Sequence, residues 1–579
     1  MQTSAGSGVA ERRLVGAGAA WMPWVGAVLS AALLELPFPL AGPLPAWRTA
    51  FAWFGLVPLI CAVLSKQMAG GERPRHPTEK GPLSRAPGLG AAFLVGYLCG
   101  VLWYAGNCYW IYATMHIYGG LSSLVSVLLL AGFSLVLGAY FGLFAWGLAL
   151  VRRAAGSVRW ALLVAPFLWV GLDLAAARIT SVPWDQLGYS QVDNALVNQL
   201  APWTGVYGIS FVLVLVNALI AGGFLMTCCH SWFADRRTWG ISGAVLLVAG
   251  GLGVTISPPR PAATASAVLI QPNLDVGSDS NWNGPEWDRN MAQFTHLAGE
   301  ECKSYIAGIP QTGAPRGEIV CPPYPTWPDL VVWPESPAFI QGDPRLNAAL
   351  GAIARQEHAP AIVGGVGTDY VPAEQAWNDY NSAMVFNAQG QFAGRYDKIH
   401  LVPFGEYIPF QNLLTFAHKL TGRVGQFSRG ARRQVFLLDA GNGAHRYGIF
   451  ICYEDVFGDE VRHFALNGAE ALVNISDDGW YGDTSAPWQH LNIARMRAIE
   501  NRRWLLRDTN TGVTAVIDPY GVVRQSIPRH RVDALPAEFG YRTGVTFYTA
   551  HGDVFAWMCA VLSLAIVGWA GVFLEKLTK

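Results

Sequence analysis

Tyr447-Gly448-Ile449-Phe450-Ile451-Cys452-Tyr453-Glu454-Asp455 is the stretch from which the rest of the chain can be read. Its first five residues are uncharged, aromatic or β-branched, and too few for a helix, so they predict a buried strand that ends at a thiol. A helix is expected to begin near Val456. The thiol would then sit at a strand-to-helix turn, beside the positive end of a helix dipole that favours the attacking thiolate. A lone cysteine in an apolar run is ordinarily inert core, so its neighbours must give it a role.

Two further pieces have the same build. Leu330-Val331-Val332-Trp333-Pro334 runs into Glu335, and a carboxylate at the end of a buried strand is partly desolvated and suited to general-base work. A short strand over 391–396 leads through Asp397 into Lys398, whose cation could lower the thiol pKa and stabilise an oxyanion. Around them lie other short runs rich in β-branched residues, at 267–271, 361–366, 382–386, 471–475 and 513–517. Helix-period stretches fall between, at 286–307, 344–358, 457–467 and 488–501. Strands that are apolar throughout, alternating with helices, predict a layered α/β domain covered on its sheet faces.

Working outward, composition changes sharply. The 579 residues are 52% hydrophobic and only 14% charged, with 23 Trp, too little polar surface for one soluble domain. Apolar runs long enough for a roughly 30 Å hydrocarbon core occur at 14–34, 49–65, 89–112, 121–151, 160–177, 206–229, 239–255 and 554–574, which predicts eight transmembrane helices in an all-α bundle. The first run is longer than a signal-peptide core and no small-residue cleavage site follows it, so it is read as a retained anchor. Gly138 and Gly142, four apart, could admit a neighbouring helix. Cations alternate between connections. Arg12, Arg13, Lys66, Arg73, Arg75, Lys80, Arg85, Arg152, Arg153, Arg159, Arg236, Arg237, Lys576 and Lys579 fall on one side, with Arg48 and Arg178 the exceptions. The positive-inside rule makes that side cytoplasmic, with both termini inside and residues 257–553 outside. Three units are expected: 1–256 with seven spans, 257–553 catalytic, and 554–579 as an eighth span with a short tail.

Taken together, Trp333-Pro334-Glu335-Ser336, Tyr396-Asp397-Lys398-Ile399-His400-Leu401-Val402-Pro403-Phe404-Gly405-Glu406-Tyr407, Ile451-Cys452-Tyr453-Glu454-Asp455 and Asn474-Ile475-Ser476-Asp477-Asp478-Gly479-Trp480-Tyr481-Gly482 resemble the nitrilase, or carbon–nitrogen hydrolase, superfamily. Gly188-Tyr189-Ser190-Gln191, Pro487-Trp488-Gln489-His490 and Ala494-Arg495-Met496-Arg497-Ala498 narrow the likeness to the apolipoprotein N-acyltransferases, across almost the whole chain. The resemblance implies an extracytoplasmic α-β-β-α sandwich with Cys452 as nucleophile, Glu335 as general base and Lys398 as stabiliser of developing negative charge, supported by Glu406, Tyr453 and Glu454. It implies a tryptophan near the first strand, for which Trp282 and Trp287 compete. Asp508 stands where a small residue is expected, and Asp477 where Asn is more familiar.

By that resemblance the donor is a phospholipid and the acceptor a diacylated apolipoprotein, in a bacterial inner-membrane enzyme; a monomer is expected. The alternative is a membrane-anchored amidase or nitrilase passing its acyl group to water. An inactive domain on a transport or sensory protein would predict a broken triad. No cofactor is expected, and no cluster has metal-ligand spacing. A formal net charge of zero gives no field to attract nucleic acid. Residues 407–416, apolar and aromatic, read as a mobile arm gating acyl entry. Of the three cysteines outside the spans, Cys302 and Cys321 are expected to pair, leaving Cys452 reduced.

Overall fold

Leu, Val, Ala and Gly fill the first half of the chain and form helices, since nothing in those runs offers turn residues or strand alternation. The structure, a computed structural model, describes residues 21–65, 88–227, 240, 243, 250–276, 285–299, 328–335, 340–372, 375–407, 427–441 and 443–578. Among the described residues six helices are long and apolar enough to cross a bilayer: Ala46–Leu64, Leu89–Asn107, Ser123–Ala155, Val158–Thr180, Val206–Leu225 and Val554–Lys576. Met22–Glu35 is a shorter apolar helix. The run expected at 239–255 lies mostly outside the described residues, as does the start of the first.

Glycines set how closely two of these helices approach. A Cβ on Gly138 would lie 2.7 Å from Val101 Cγ2 and 2.9 Å from its amide nitrogen; one on Gly100 would lie 2.9 Å from Gly138 Cα. Gly142 likewise opens space for the Phe93 ring. Leu89–Asn107 therefore seats backbone to backbone on Ser123–Ala155, the small-residue packing that works where lipid removes any hydrophobic drive. Outward sides carry exposed Leu128, Val136, Val561 and Leu564.

The second half is built from twelve strands: β1 (Ala265–Gln271), β2 (Leu330–Trp333), β3 (Ala361–Val371), β4 (Ala376–Phe386), β5 (Phe392–Asp397), β6 (Val435–Ala440), β7 (Gly443–Ile451), β8 (Ala471–Ser476), β9 (Leu505–Thr509), β10 (Thr514–Ile517), β11 (Val523–Ile527) and β12 (Asp533–Phe539). They form two six-stranded sheets, ordered β12-β1-β2-β3-β4-β5 and β11-β10-β9-β8-β7-β6. Each sheet has three parallel strands at its centre, β1-β2-β3 and β7-β8-β9, and antiparallel neighbours outside them.

Side-chain alternation separates two cores. Leu269, Val332, Ile362 and Val385 face inward and share a core with Ile449, Val473 and Ile475 of the other sheet. Their neighbours Val331, Trp333, Val363 and Met384 face outward, beneath helices Pro285–Gly299 and Pro344–Glu357. Helices Gly458–Leu466 and Ala486–Asn501 cover the second sheet. The layers run helix, sheet, sheet, helix, the α/β arrangement expected from the sequence. The last helix, Val554–Thr578, returns to the bundle and packs on Val158–Ala175.

Candidate active site

Glu335 leaves the end of β2 because Pro334 has no N–H to continue the ladder. The neighbouring strand makes room: a Cβ on Gly364 of β3 would sit 2.2 Å from Pro334 O and 2.6 Å from Glu335 Cα. Glu335 Oε1 accepts from Asn381 Nδ2 at 2.6 Å and Lys398 Nζ at 3.2 Å, and Oε2 accepts from the Asp477 amide at 2.9 Å. Three donors from β4, the end of β5 and the loop after β8 hold one carboxylate.

Lys398 follows β5 directly, and its backbone N–H donates to Asn381 O at 2.8 Å. Its ammonium is 1% exposed and bridges Glu335 and Glu406, reaching Glu406 Oε1 at 2.8 Å. Burial works against that charge, but Glu335, Glu406 and Cys452 outweigh it and hold the pKa well above the ordinary lysine value. Asn381 Nδ2 makes the same bridge, donating to Glu406 Oε1 at 2.6 Å, while Glu406 Oε2 accepts from Val402 N at 2.8 Å. Glu406 is thereby fixed by its own loop and buttresses the lysine.

Cys452 directly follows β7 with a φ of 50°. Left-handed backbone costs a non-glycine residue about 1–3 kcal/mol and persists only where its surroundings enforce it. Glu454 supplies part of that enforcement. Its Oε2 accepts from Ile451 N at 2.8 Å, and its Oε1 accepts from Tyr396 OH at 2.8 Å, Ile399 N at 2.7 Å and His400 N at 3.1 Å. One buried carboxylate ties the thiol turn to the segment bearing Lys398.

Cys452 opens a 3₁₀ turn, Cys452–Val456, and the α-helix begins at Gly458, close to the start expected near Val456. The expectation that is corrected is the favoured thiolate. Burial, then Glu335, pushes the thiol well above its usual pKa, with Lys398 pulling down and Asp478 pushing up. That direction favours the neutral thiol, which lies near the Glu335 and Lys398 side chains.

The remaining residues singled out in the sequence take definite places. Tyr453 OH donates to Ser181 O at 3.1 Å, and its ring stacks on Trp184 at 6.3 Å between centroids, both from the loop that follows helix Val158–Thr180. Trp287 is buried under the outer face of the first sheet with Arg345 4.1 Å above its ring, which withdraws it from the site. Trp282, Cys302, Cys321 and residues 408–416 lie outside the described residues. Asp508, buried in β9, faces Ile270 N at 3.4 Å, and burial pushes its carboxyl well up. Asp477 accepts from Gly479 N at 3.0 Å and Asn510 Nδ2 at 3.1 Å. Burial and Glu335 raise its pKa to about 8.

Asn381 was not singled out in the sequence, though Asn381-Ser382 just before the apolar Ala383-Met384-Val385-Phe386 is a polar pair of the kind that marks a strand facing a site. Trp184 gave no local signal at all.

A thiol, an ammonium and a carboxylate gathered between two layered sheets, on a chain that also carries membrane-length helices, define a carbon–nitrogen hydrolase domain joined to a multi-pass membrane protein. A family model described as Carbon-nitrogen hydrolase matches residues 320–531, and one described as Apolipoprotein N-acyltransferase N-terminal domain matches residues 30–219. Curated relatives carry the name apolipoprotein N-acyltransferase. That of Geobacter metallireducens is 35% identical over 93% of this chain and 94% of its own length. The Methylococcus capsulatus protein is 34% identical over 82% and 86%, and the Vibrio parahaemolyticus protein 30% over 83% and 88%. The chain belongs to the apolipoprotein N-acyltransferase family.

Proposed function

We propose that this protein moves a fatty acyl chain from a phospholipid to the α-amino group of the diacylglyceryl-modified N-terminal cysteine of apolipoproteins, with Cys452, Lys398 and Glu335 as catalytic residues and Glu406, Tyr453 and Glu454 in support. Glu335 takes the thiol proton as sulfur attacks the ester carbonyl, and Lys398 faces the oxyanion that forms. Collapse expels a lysophospholipid, which regains the proton from Glu335, and leaves a thioester on Cys452. The acceptor amine then attacks, its proton passing to the thiolate through Glu335, and the amide product leaves.

In this reading residues 1–256 hold seven spans, 257–553 the periplasmic catalytic domain and 554–579 the eighth span. Both termini are cytoplasmic in the bacterial inner membrane, and the enzyme acts as a monomer. Charge asymmetry between the connections supports the orientation. One observation carries the choice of a lipid substrate: the residue after the nucleophile, Tyr453, docks on Ser181 and Trp184 at the end of a membrane-length helix. An active site at the bilayer surface raises the effective concentration of two lipid-anchored substrates.

Incubating the purified protein with labelled phospholipid and no acceptor should give a hydroxylamine-sensitive acyl adduct on Cys452, absent in Cys452→Ala and cleared by a diacylated lipopeptide. Clearance by water as fast as by lipopeptide would favour the hydrolase alternative, and an adduct that survives in Cys452→Ala would refute the nucleophile.

A further inference from the structure

Beneath the Cys452 turn lies a buried cluster of charge that the chemistry above leaves unused. His490, on helix Ala486–Asn501, is fully buried, with Nε2 2.8 Å from Asp455 Oδ1 and Nδ1 2.9 Å from Asp478 Oδ1. The same Nε2 lies 3.3 Å from the carbonyl oxygen of Cys452. Arg507 of β9 donates to Asp478 Oδ2 at 2.8 Å and Asp455 Oδ2 at 3.3 Å, reaches Asn474 Oδ1, and places an amino group 2.8 Å from His490 Nδ1. Ser476 Oγ donates to Asp478 Oδ1 at 2.8 Å. Trp184 stacks on the imidazole at 5.7 Å, and Tyr481 meets it edge-on at 5.9 Å.

We infer that His490 is a positioning residue for the nucleophile: clamped between Asp455 and Asp478, it holds the Cys452 carbonyl and, with Arg507, completes a charge-balanced plate under the thiol. The inference rests on Cys452 being the nucleophile. A left-handed Cys452 needs restraint on both sides; Glu454 grips the preceding amide and His490 meets the following carbonyl. Burial works against the imidazolium, but Asp455 and Asp478 outweigh both that and Arg507, lifting its pKa to about 9. Two buried anions facing two buried cations leave no net charge, and buried charge is tolerable only when paired. The thiol itself is faced by Glu335, Lys398, Asp478, Tyr481 and Arg507, so any imbalance in the plate reaches it.

The test follows alkylation of Cys452 by iodoacetamide in the full-length protein in micelles, from about pH 6 to 11, read by peptide mass spectrometry beside acyl loading from labelled phospholipid. His490→Gln leaves the plate one charge negative. Its alkylation midpoint should rise by about one pH unit or more, with loading at neutral pH about tenfold slower. His490→Gln with Asp478→Asn restores balance between Arg507 and Asp455, and the midpoint should return towards wild type. A merely structural histidine excludes that recovery, since a second buried substitution would only add damage. Asp478→Asn alone should lower the midpoint, and it decides the matter if His490→Gln does not fold. An unshifted midpoint in folded His490→Gln, or in Asp478→Asn where the first variant does not fold, overturns the inference, as does a double variant no closer to wild type than the single. Wild-type protein that forms no adduct on Cys452 would instead count against the functional reading.

Discussion

Lys398 is the residue on which the candidate site turns, because it is the cation that lies between Glu335 and Glu406. Lys398→Met leaves the two carboxylates in a nearly dry pocket with only Asn381 between them. Under the proposed mechanism, losing this charge should slow acyl loading by about 10²–10³-fold. Breaking a buried pair by removing one partner should cost about 3–5 kcal/mol. Single-turnover loading and chemical denaturation would check the two effects separately. His490 gives a pH prediction. Its folded pKa, about 9, lies above the value near 6.5 of an unfolded histidine. Its contribution to stability is therefore complete below the unfolded value and lost as pH rises through the folded one. Wild-type protein should lose more stability than His490→Gln between neutral and alkaline pH, and an equal loss in both would contradict the assignment of charge.

Among the elements, β3 and the helix Ala486–Asn501 do the positioning. β3 passes so near Glu335 that only glycine fits at position 364. Gly364→Ala should push Pro334 and Glu335 out of register with Lys398. Misplacement of a reacting group by about 1 Å can cost on the order of 100-fold in rate. Loading should fall steeply while circular dichroism stays unchanged, and a variant that loads at the wild-type rate would show that the strand can yield. The helix owes its place to its buried faces. Gln489, His490, Arg497 and Glu500 all point into packed surroundings, so its sequence lacks the polar stripe of an ordinary surface helix.

For the whole molecule, that same helix is the joint between the catalytic layers and the membrane bundle. Gln489 Oε1 accepts from Trp184 Nε1 at 2.9 Å, and its Nε2 donates to Asn107 Oδ1 at 3.1 Å and Pro39 O at 3.3 Å. Arg497 donates to Tyr189 OH at 2.8 Å, and Glu500 accepts from Val206 N at 3.0 Å. Arg178 adds ion pairs to Asp459 at 2.8 Å and Asp553 at 2.6 Å, binding three parts of the chain. Gln489→Leu removes the partner of Trp184 Nε1 and of Asn107 Oδ1, while Asn107 Nδ2 keeps its bond to Asp185 Oδ2. Each buried polar group left unsatisfied costs about 1–3 kcal/mol, so thermal stability should fall while the pH dependence of Cys452 alkylation keeps its midpoint. A shifted midpoint with unchanged stability would reverse that ordering.

How much was legible follows from where each signal lies. The strands at 330–333, 447–451 and 471–475 were visible because their apolar runs are continuous, the mark of strands buried on both faces. β9 reads Leu-Leu-Arg-Asp-Thr and β12 contains Pro536, so charge and proline hid them until buried partners accounted for both. Glu335 and Cys452 stood out because each follows such a run, and Lys398 because it follows the short, partly polar strand β5. The sequence by itself determined the apolar helices, the layered α/β class and the identity of the candidate reactive groups, since all three depend on local order along the chain. Only the tertiary structure decided that Asn381 bridges two carboxylates, that the thiol is buried with its pKa pushed up, and that Trp184 and His490 meet beneath it. Those properties arise from contacts between residues tens to hundreds of positions apart, and hydrogen bonding and desolvation depend on proximity in space, which residue order does not carry.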